Sequence, residues 1–166
     1  MQTIRVTEGH AWDRVLLTLP NPHVLQSWAW GQFKSRHGWH ATRLLFQEDG
    51  RAMAAASVLW RRIPFLPLSM LYVPKGPILD WTDEGLVDRV LAELERIARM
   101  RRAAFVKIDP DVYYPEAAPE FTTRPACASD LACMLEAREW RFSEEQVQFR
   151  NTVLIDLQPT EDKLLA

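Results

Sequence analysis

Leu71-Tyr72-Val73-Pro74-Lys75-Gly76-Pro77-Ile78-Leu79-Asp80 is the stretch on which the reading of this chain turns. Its first residues are apolar and strand-like. Pro74 cannot donate to a sheet ladder, so pairing stops there on at least one side. Gly76 permits a backbone turn closed to other residues, and Pro77 holds its predecessor towards extended geometry. Lys75 lies between the two prolines. A strand forced open with a cation at the break is a place to receive an anionic ligand. A rigid proline-punctuated loop with a solvated lysine satisfies the same ten residues, and on these alone it is the preferred reading.

Working back from this stretch, Ser69–Val73 reads as a strand and Arg51–Arg62 as the one before it. Ala52, Ala54, Ala55 and Ala56 leave room above that strand for something large. Glu48-Asp49-Gly50 is a hairpin turn, with Trp39–Gln47 as its other arm. Gln2–Thr7 alternates as a short first strand. Thr7 or Gly9 opens a helix carrying Trp12, Val15, Leu16 and Leu19, closed by Pro20-Asn21-Pro22. A second helix is expected from about His23 to Arg36, burying Trp28, Phe33 and Leu25, with Gly38 as its stop.

Working forward, Thr82 is the expected N-cap of a helix running to about Arg102, with Asp83 and Glu84 favourable in its first turn. Leu86, Val90, Leu94 and Ile97 form its apolar stripe. The arginines crowding its end, Arg96, Arg99, Arg101 and Arg102, read as dipole complementation. Ala103–Ile108 is a strand that Asp109-Pro110 closes. A loop rich in Pro, Glu and Thr follows from Tyr113 to Pro125. Ser129–Glu139 reads as a helix, and Trp140–Phe142 and Thr152–Leu157 as the last strands. Thr160–Ala166 looks like a helix N-terminus without a body, so residues 1–159 are expected to form the domain and 160–166 to lead into a further part.

The chain has 166 residues, enough for one domain with a real core. A net charge of -2 gives no global pointer to nucleic acid, so any basic surface must be local. Seven tryptophans are many for this length and are expected in the core or as groove walls. Cys127 and Cys133 do not share a helix face, which argues against a disulfide, and both read as buried thiols. No Cys/His spacing suits a structural zinc, so no metal is expected. His10, His23, His37 and His40 have no metal spacing and no Ser or Cys partner motif, and read as surface or packing residues. No apolar run is long enough to span a bilayer, and the N-terminus lacks a signal-peptide pattern. The expected compartment is the cytoplasm, with a peripheral position at the inner face of the membrane as a further option.

The coarse order is strand, helix, helix, three antiparallel strands, helix, strand, helix, strands. The simplest packing is an α/β (α+β) domain with a mixed, mostly antiparallel central sheet and helices on both faces. This is also the order of the GNAT-type acyltransferase fold, which takes acetyl-CoA on a Gly-rich loop before the central helix. The corresponding stretch, residues 75–84, has Gly76 but no Gly-rich phosphate loop.

Three segments carry a family likeness. Tyr72-x-x-Lys75-Gly76-Pro77-x-x-Asp80 before a helix resembles the Arg/Lys-Gly-Pro segment of the Fem family (FemABX). Phe105-Val106-Lys107-Ile108-Asp109-Pro110 resembles the segment after that helix. Gln26-Ser27-x-x-Trp30-Gly31-x-x-Lys34, with Gly38-Trp39 behind it, resembles an earlier one. They occur in the family's order and spacing and span most of residues 24 to 115. The resemblance implies an aminoacyltransferase that moves an amino acid from aminoacyl-tRNA to the peptidoglycan stem peptide, in cell-wall cross-bridge synthesis. It implies two GNAT-like domains, no acetyl-CoA, and a precursor held mainly by the first domain. This chain would be most or all of that first domain, with the C-terminal domain missing. The implied partner is UDP-MurNAc-pentapeptide or a lipid-linked precursor, with aminoacyl-tRNA as co-substrate of the full-length enzyme.

By the same resemblance, Lys34 stands at the position of a lysine that contacts the precursor's phosphates, against the alternative of a solvated helix lysine. Lys75 has the same two readings. Asp109 would orient the acceptor amine or accept its proton, or merely cap a loop. Lys107 alternates with Asp109 and either shares its site or neutralises it. Tyr72, Trp30 and Tyr113 could stack on a sugar or uracil ring, although each taken singly reads as a core or rim aromatic. Two other classes remain open: a stand-alone N-acetyltransferase using acetyl-CoA, and a non-catalytic binding module.

Overall fold

The computed structural model describes residues 1–112, 127–145, 147–149, 158 and 163. Strand β1 (Gln2–Val6) leads into helix α1 (Gly9–Leu16). A 3₁₀ turn (Val24–Gln26) and helix α2 (Trp28–Ser35) follow. Then come β2 (His40–Glu48), β3 (Arg51–Arg62) and β4 (Ser69–Val73). Helix α3 (Glu84–Met100), β5 (Ala103–Ile108) and α4 (Cys127–Ala137) complete the elements. The strands form one sheet in the order β1-β2-β3-β4-β5, antiparallel except for the last pair. The expected strand Thr152–Leu157, the loop beyond residue 112 and most of the tail from residue 160 lie outside the described residues.

Alternation along β3 decides which layer covers which face. Ala54, Ala56 and Val58 point to one face and pack under Leu86, Val87, Val90, Leu91 and Leu94 of α3. Ala55 points to the other and packs against Trp12, Leu16, Leu19 and Ile78. The run of alanines is thus the bed for helices on both sides. Asp49 and Gly50 both have positive φ, the geometry of the tight turn that joins twisted strands.

Helix starts differ from the sequence expectation. Glu8 caps α1, its carboxylate accepting from the His10 and Ala11 amides. Asp83, not Thr82, caps α3 by accepting from the Leu86 amide. Thr82 is instead turned onto Asp80, donating to it from both its amide and its hydroxyl. The single helix expected from His23 to Arg36 is broken at Ser27, which leaves helical geometry and caps α2 through its hydroxyl. Phe33 is therefore on the outer side of α2 and half exposed rather than buried. Trp140–Phe142 is not a strand. Trp140 instead donates from its indole to Glu95 and packs on the α3 core, because Arg138 holds the end of α4 to the same Glu95. Cys133 is exposed and free, not a buried thiol.

One buried side chain ties the layers together. Gln26 is fully buried. Its amide donates to the Pro74 carbonyl at 2.5 Å and accepts from the Ser57 amide at 2.6 Å. Its own carbonyl receives the Trp12 indole N–H at 2.8 Å. The 3₁₀ turn, α1, β3 and the end of β4 therefore meet at one residue. Gly76 is glycine for the same reason: a Cβ there would stand 2.8 Å from the Gln26 amide nitrogen.

His23 begins that turn, its Nδ1 accepting from the Leu25 amide at 3.1 Å. Burial holds the imidazole below its ordinary value, against the opposing pull of Asp111 and together with Lys75. The unfolded chain thus takes up the proton first, and protonation also removes the Nδ1 acceptor.

Two outcomes are expected. Gln26→Leu leaves the Ser57 N–H and the Pro74 carbonyl unpaired, so urea unfolding should show a loss of about 2–4 kcal/mol. Stability should be full above about pH 6.5 and fall as the pH is lowered towards 5, as His23 charges. In His23→Asn, whose side chain still caps, the unfolding midpoint should vary less over that range.

Candidate functional site

The sheet face under α1, the 3₁₀ turn and α2 gathers the residues the sequence singled out. Gly31 seats α2 on this face, since a Cβ there would stand 3.1 Å from the Ala41 side chain and 2.4 Å from the Arg43 guanidinium. Arg43 is buried, with its guanidinium 3.6 Å from the centre of the Trp28 ring and donating to the Trp28 carbonyl. Alternation carries the same face across β3 at Ser57, Leu59 and Arg61, across β4 at Met70 and Tyr72, and across β5 at Phe105 and Lys107.

At one end of this face, Lys34 projects from the last turn of α2. Its ammonium lies 5.4 Å from the Trp30 ring and 5.8 Å from the Trp39 ring. The Arg61 guanidinium lies 4.6 Å from the same Trp39 ring. Two cations thus share one indole, and among the described residues neither has a carboxylate partner. An anion bound beside Trp39 would be attracted by both charges. The Trp30 indole N–H and the Ser57 hydroxyl are buried on this side without a hydrogen-bond partner among the described residues. Such groups call for a water or a ligand. Arg61 was not singled out from the sequence. Its only signal was a position two residues beyond Leu59 on a strand face otherwise apolar.

Further along the same face, two residues or about 7 Å up the strands, is a second group. Tyr72 pairs in register with Lys107, and Asp109 follows by alternation. The Tyr72 hydroxyl donates to Asp109 Oδ2 at 3.3 Å and receives the Gln148 amide at 3.4 Å. Burial first, and then the Asp109 charge, push the Tyr72 phenol up to about 12. It therefore stays protonated and keeps its donor directed at the carboxylate at neutral pH. Lys107 donates to Ser143 Oγ at 3.0 Å and to the Glu145 carbonyl. That ammonium straps the segment after α4 to the sheet rather than standing open.

Lys75 stands just past β4 with φ of 45°, a backbone region that lysine rarely occupies. Its ammonium is paired with Asp111 at 3.0 Å. His23 is in the same electrostatic neighbourhood, together with Asp109 and Asp111. Sequence patterning gave His23 no such place, because residues 23, 75 and 111 meet only through the fold. Among the described contacts, Lys34 and Lys75 belong to separate groups on one face. Tyr113 lies outside the described residues. Two concavities of about 480 Å³ lie elsewhere, one beside Glu136, Glu139, Trp140 and Arg141, the other at the β2–β3 turn.

The start of α3 is where this fold class would hold the pyrophosphate of acetyl-CoA. Here the Leu86 amide is already taken by Asp83, and Glu84 adds a negative charge in the first turn. Both repel a second anion from the helix dipole.

Among the described residues no helix is long and apolar enough to cross a membrane. The fold matches that of a solved structure titled a probable acetyltransferase, with TM-score 0.52 and 14% identity, over 94% of this chain and 99% of that one. A closer likeness is to the crystal structure of FemX, with TM-score 0.68 and 26% identity, over 83% of this chain and 31% of that one. A lipid II:glycine glycyltransferase of Staphylococcus haemolyticus (strain JCSC1435) is 34% identical over 100 residues, covering 60% of this chain and 24% of that protein. The chain thus spans roughly a quarter to a third of these two relatives' lengths. The FemAB family model matches residues 16–165, and the chain belongs to the FemAB family.

Proposed function

We propose that this chain is the precursor-binding domain of an aminoacyltransferase that acts on the stem peptide of a lipid-linked peptidoglycan precursor. The observation that carries this is the pair of cations, Lys34 and Arg61, that share Trp39 and have no carboxylate partner among the described residues, on the same sheet face as Tyr72 and Asp109. A diphosphate suits two cations set around one indole. Trp30, whose ring lies 5.4 Å from the Lys34 ammonium, offers a stacking surface beside them. The similarity to a lipid II:glycine glycyltransferase of Staphylococcus haemolyticus supports the same substrate class.

In the whole protein, the stem-peptide amine would attack the ester carbonyl of an aminoacyl-tRNA, forming the amide and releasing the tRNA hydroxyl. Asp109 would orient that amine and take its proton, with Tyr72 holding the carboxylate in place. Lys75, paired with Asp111 at the rim, would set the local charge where the acceptor enters, and Lys107 would hold the strap that borders it. No acetyl-CoA is needed, and a further domain outside this chain would receive the tRNA. The acetyltransferase likeness in fold favours a second reading, an acetyl-CoA enzyme, but the acidic start of α3 weighs against it.

Calorimetry with UDP-MurNAc-pentapeptide should show binding, and Lys34→Ala should weaken it by about tenfold, the loss of one charge-assisted contact. Asp109→Asn should bind the precursor as before yet lose transfer in the full-length enzyme. Acetyl-CoA should leave the melting temperature unchanged. A clear rise with acetyl-CoA and none with the precursor would sink this reading in favour of the acetyltransferase.

A further inference from the structure

We infer that the hairpin tip between β3 and β4 docks the protein on an anionic lipid bilayer, an inference that rests on the lipid-linked acceptor proposed above. The tip carries Ile63, Pro64, Phe65, Leu66, Pro67 and Leu68. Phe65 is 105% exposed and Leu66 53%. The tip is held in shape by a hydrogen bond from the Ile63 amide to the Leu68 carbonyl at 2.9 Å, and another from Leu66 to Ile63. Phe65 sits at φ of 65°, a conformation held against its own preference so that the ring points outwards. The apolar side chains are thus presented to solvent by an ordered turn.

A basic collar surrounds the tip. Arg61 and Arg62 end β3, and Arg99, Arg101 and Arg102 lie at the end of α3. The two segments are pinned together at the hairpin base. The Ser69 amide donates to the Arg102 carbonyl and its hydroxyl to the Arg101 carbonyl, at 3.1 and 2.9 Å. The Arg101 guanidinium lies 4.0 Å from the centre of the Trp60 ring, which fixes its position. No Asp or Glu occurs between Asp49 and Asp80, or between Glu95 and Asp109. In a chain of net charge -2, these two stretches are thus cationic without interruption by an acid.

An apolar tip projecting beyond a cationic ring matches the two layers of an anionic membrane surface. The phenyl and leucyl groups enter the acyl boundary, and the arginines meet the headgroups. The neighbouring site points the same way. Lys34 and Arg61 lie at the tip's end of the sheet, so a diphosphate held there would be at headgroup depth, where a lipid-linked acceptor carries it. A protein surface would be an alternative cover for the tip, but a narrow projection inside a cation ring has its charge complement in a bilayer.

The test is flotation of the full-length protein with vesicles free of any precursor. Vesicles of phosphatidylcholine containing phosphatidylglycerol should bind it, and phosphatidylcholine alone should not. Phe65→Asp with Leu66→Asp should weaken binding by about tenfold or more, as should Arg62→Glu with Arg102→Glu, and added salt should weaken the wild type. Both double variants should keep the wild-type melting temperature and their calorimetric binding of UDP-MurNAc-pentapeptide. Absence of vesicle binding, or vesicle binding indifferent to the tip variant, overturns the inference. A sharp fall in melting temperature for the tip variant also overturns it, because the tip then packs on protein. In each of these cases retained binding of the soluble precursor leaves the proposed function standing, while its loss from the wild type would sink that reading separately.

Discussion

The buried amide of Gln26 is the constraint on which the rest of this structure depends. An amide in an apolar interior is costly unless its donor and acceptor are both used. Here each is satisfied by backbone that ordinary pairing leaves over: the Ser57 N–H and the Pro74 carbonyl. Pro74 cannot extend the ladder, so the strand opens, and Gln26 takes the place of the missing neighbour. The Trp12 indole, bonded to the Gln26 carbonyl, adds α1 to the same point. With those bonds in place, Gly76 has no room for a Cβ, and the backbone turns Lys75 into its unusual conformation beside Asp111. The proline-locked end of β4 is thereby a rigid edge.

From that edge the chemistry is laid out by alternation. One face of the sheet is filled by α3. The other carries the aromatic and charged residues, from Arg61 and Lys34 at the hairpin end to Tyr72, Asp109 and Lys75 at the open end. Buried Arg43 belongs to this face as well; its guanidinium stacks on Trp28 and donates from Nη2 to the Trp28 carbonyl, while its Nε has no partner among the described residues. Among the described residues, Lys75 is paired with Asp111 and Lys107 with Ser143 and Glu145, whereas Lys34 and Arg61 meet aromatic rings and no carboxylate.

Much of the architecture was legible in the residues. The strands read at Arg51–Arg62, Ser69–Val73 and Ala103–Ile108 are β3, β4 and β5 with the bounds found, and Asp49-Gly50 gave the hairpin. The spacing of Leu86, Val90 and Leu94 gave the buried side of α3. Local competition between neighbouring polar residues was not legible. Asp83 and Thr82 are both good caps, and only the turn made by Asp80 assigns them. Ser27 could sit inside a helix or start one, and placing it inside put Phe33 on the wrong side. The site was legible in part, through the three motif segments. Its geometry was not, because its contacts join residues far apart in sequence. Gln26 reaches across to Ser57 and Pro74, Tyr72 to Asp109, and Lys107 to Ser143. Arg61 carries no motif and becomes conspicuous only when Trp39 is seen between it and Lys34.

Amide hydrogen exchange of the full-length protein, with and without soluble precursor, tests the central claim most directly. The account predicts slowed exchange in α2 and its following turn, at the end of β3 around Arg61, and from Tyr72 to Gly76, with α3 unchanged. Slowing confined to the start of α3, or to the opposite face of the sheet, would contradict it.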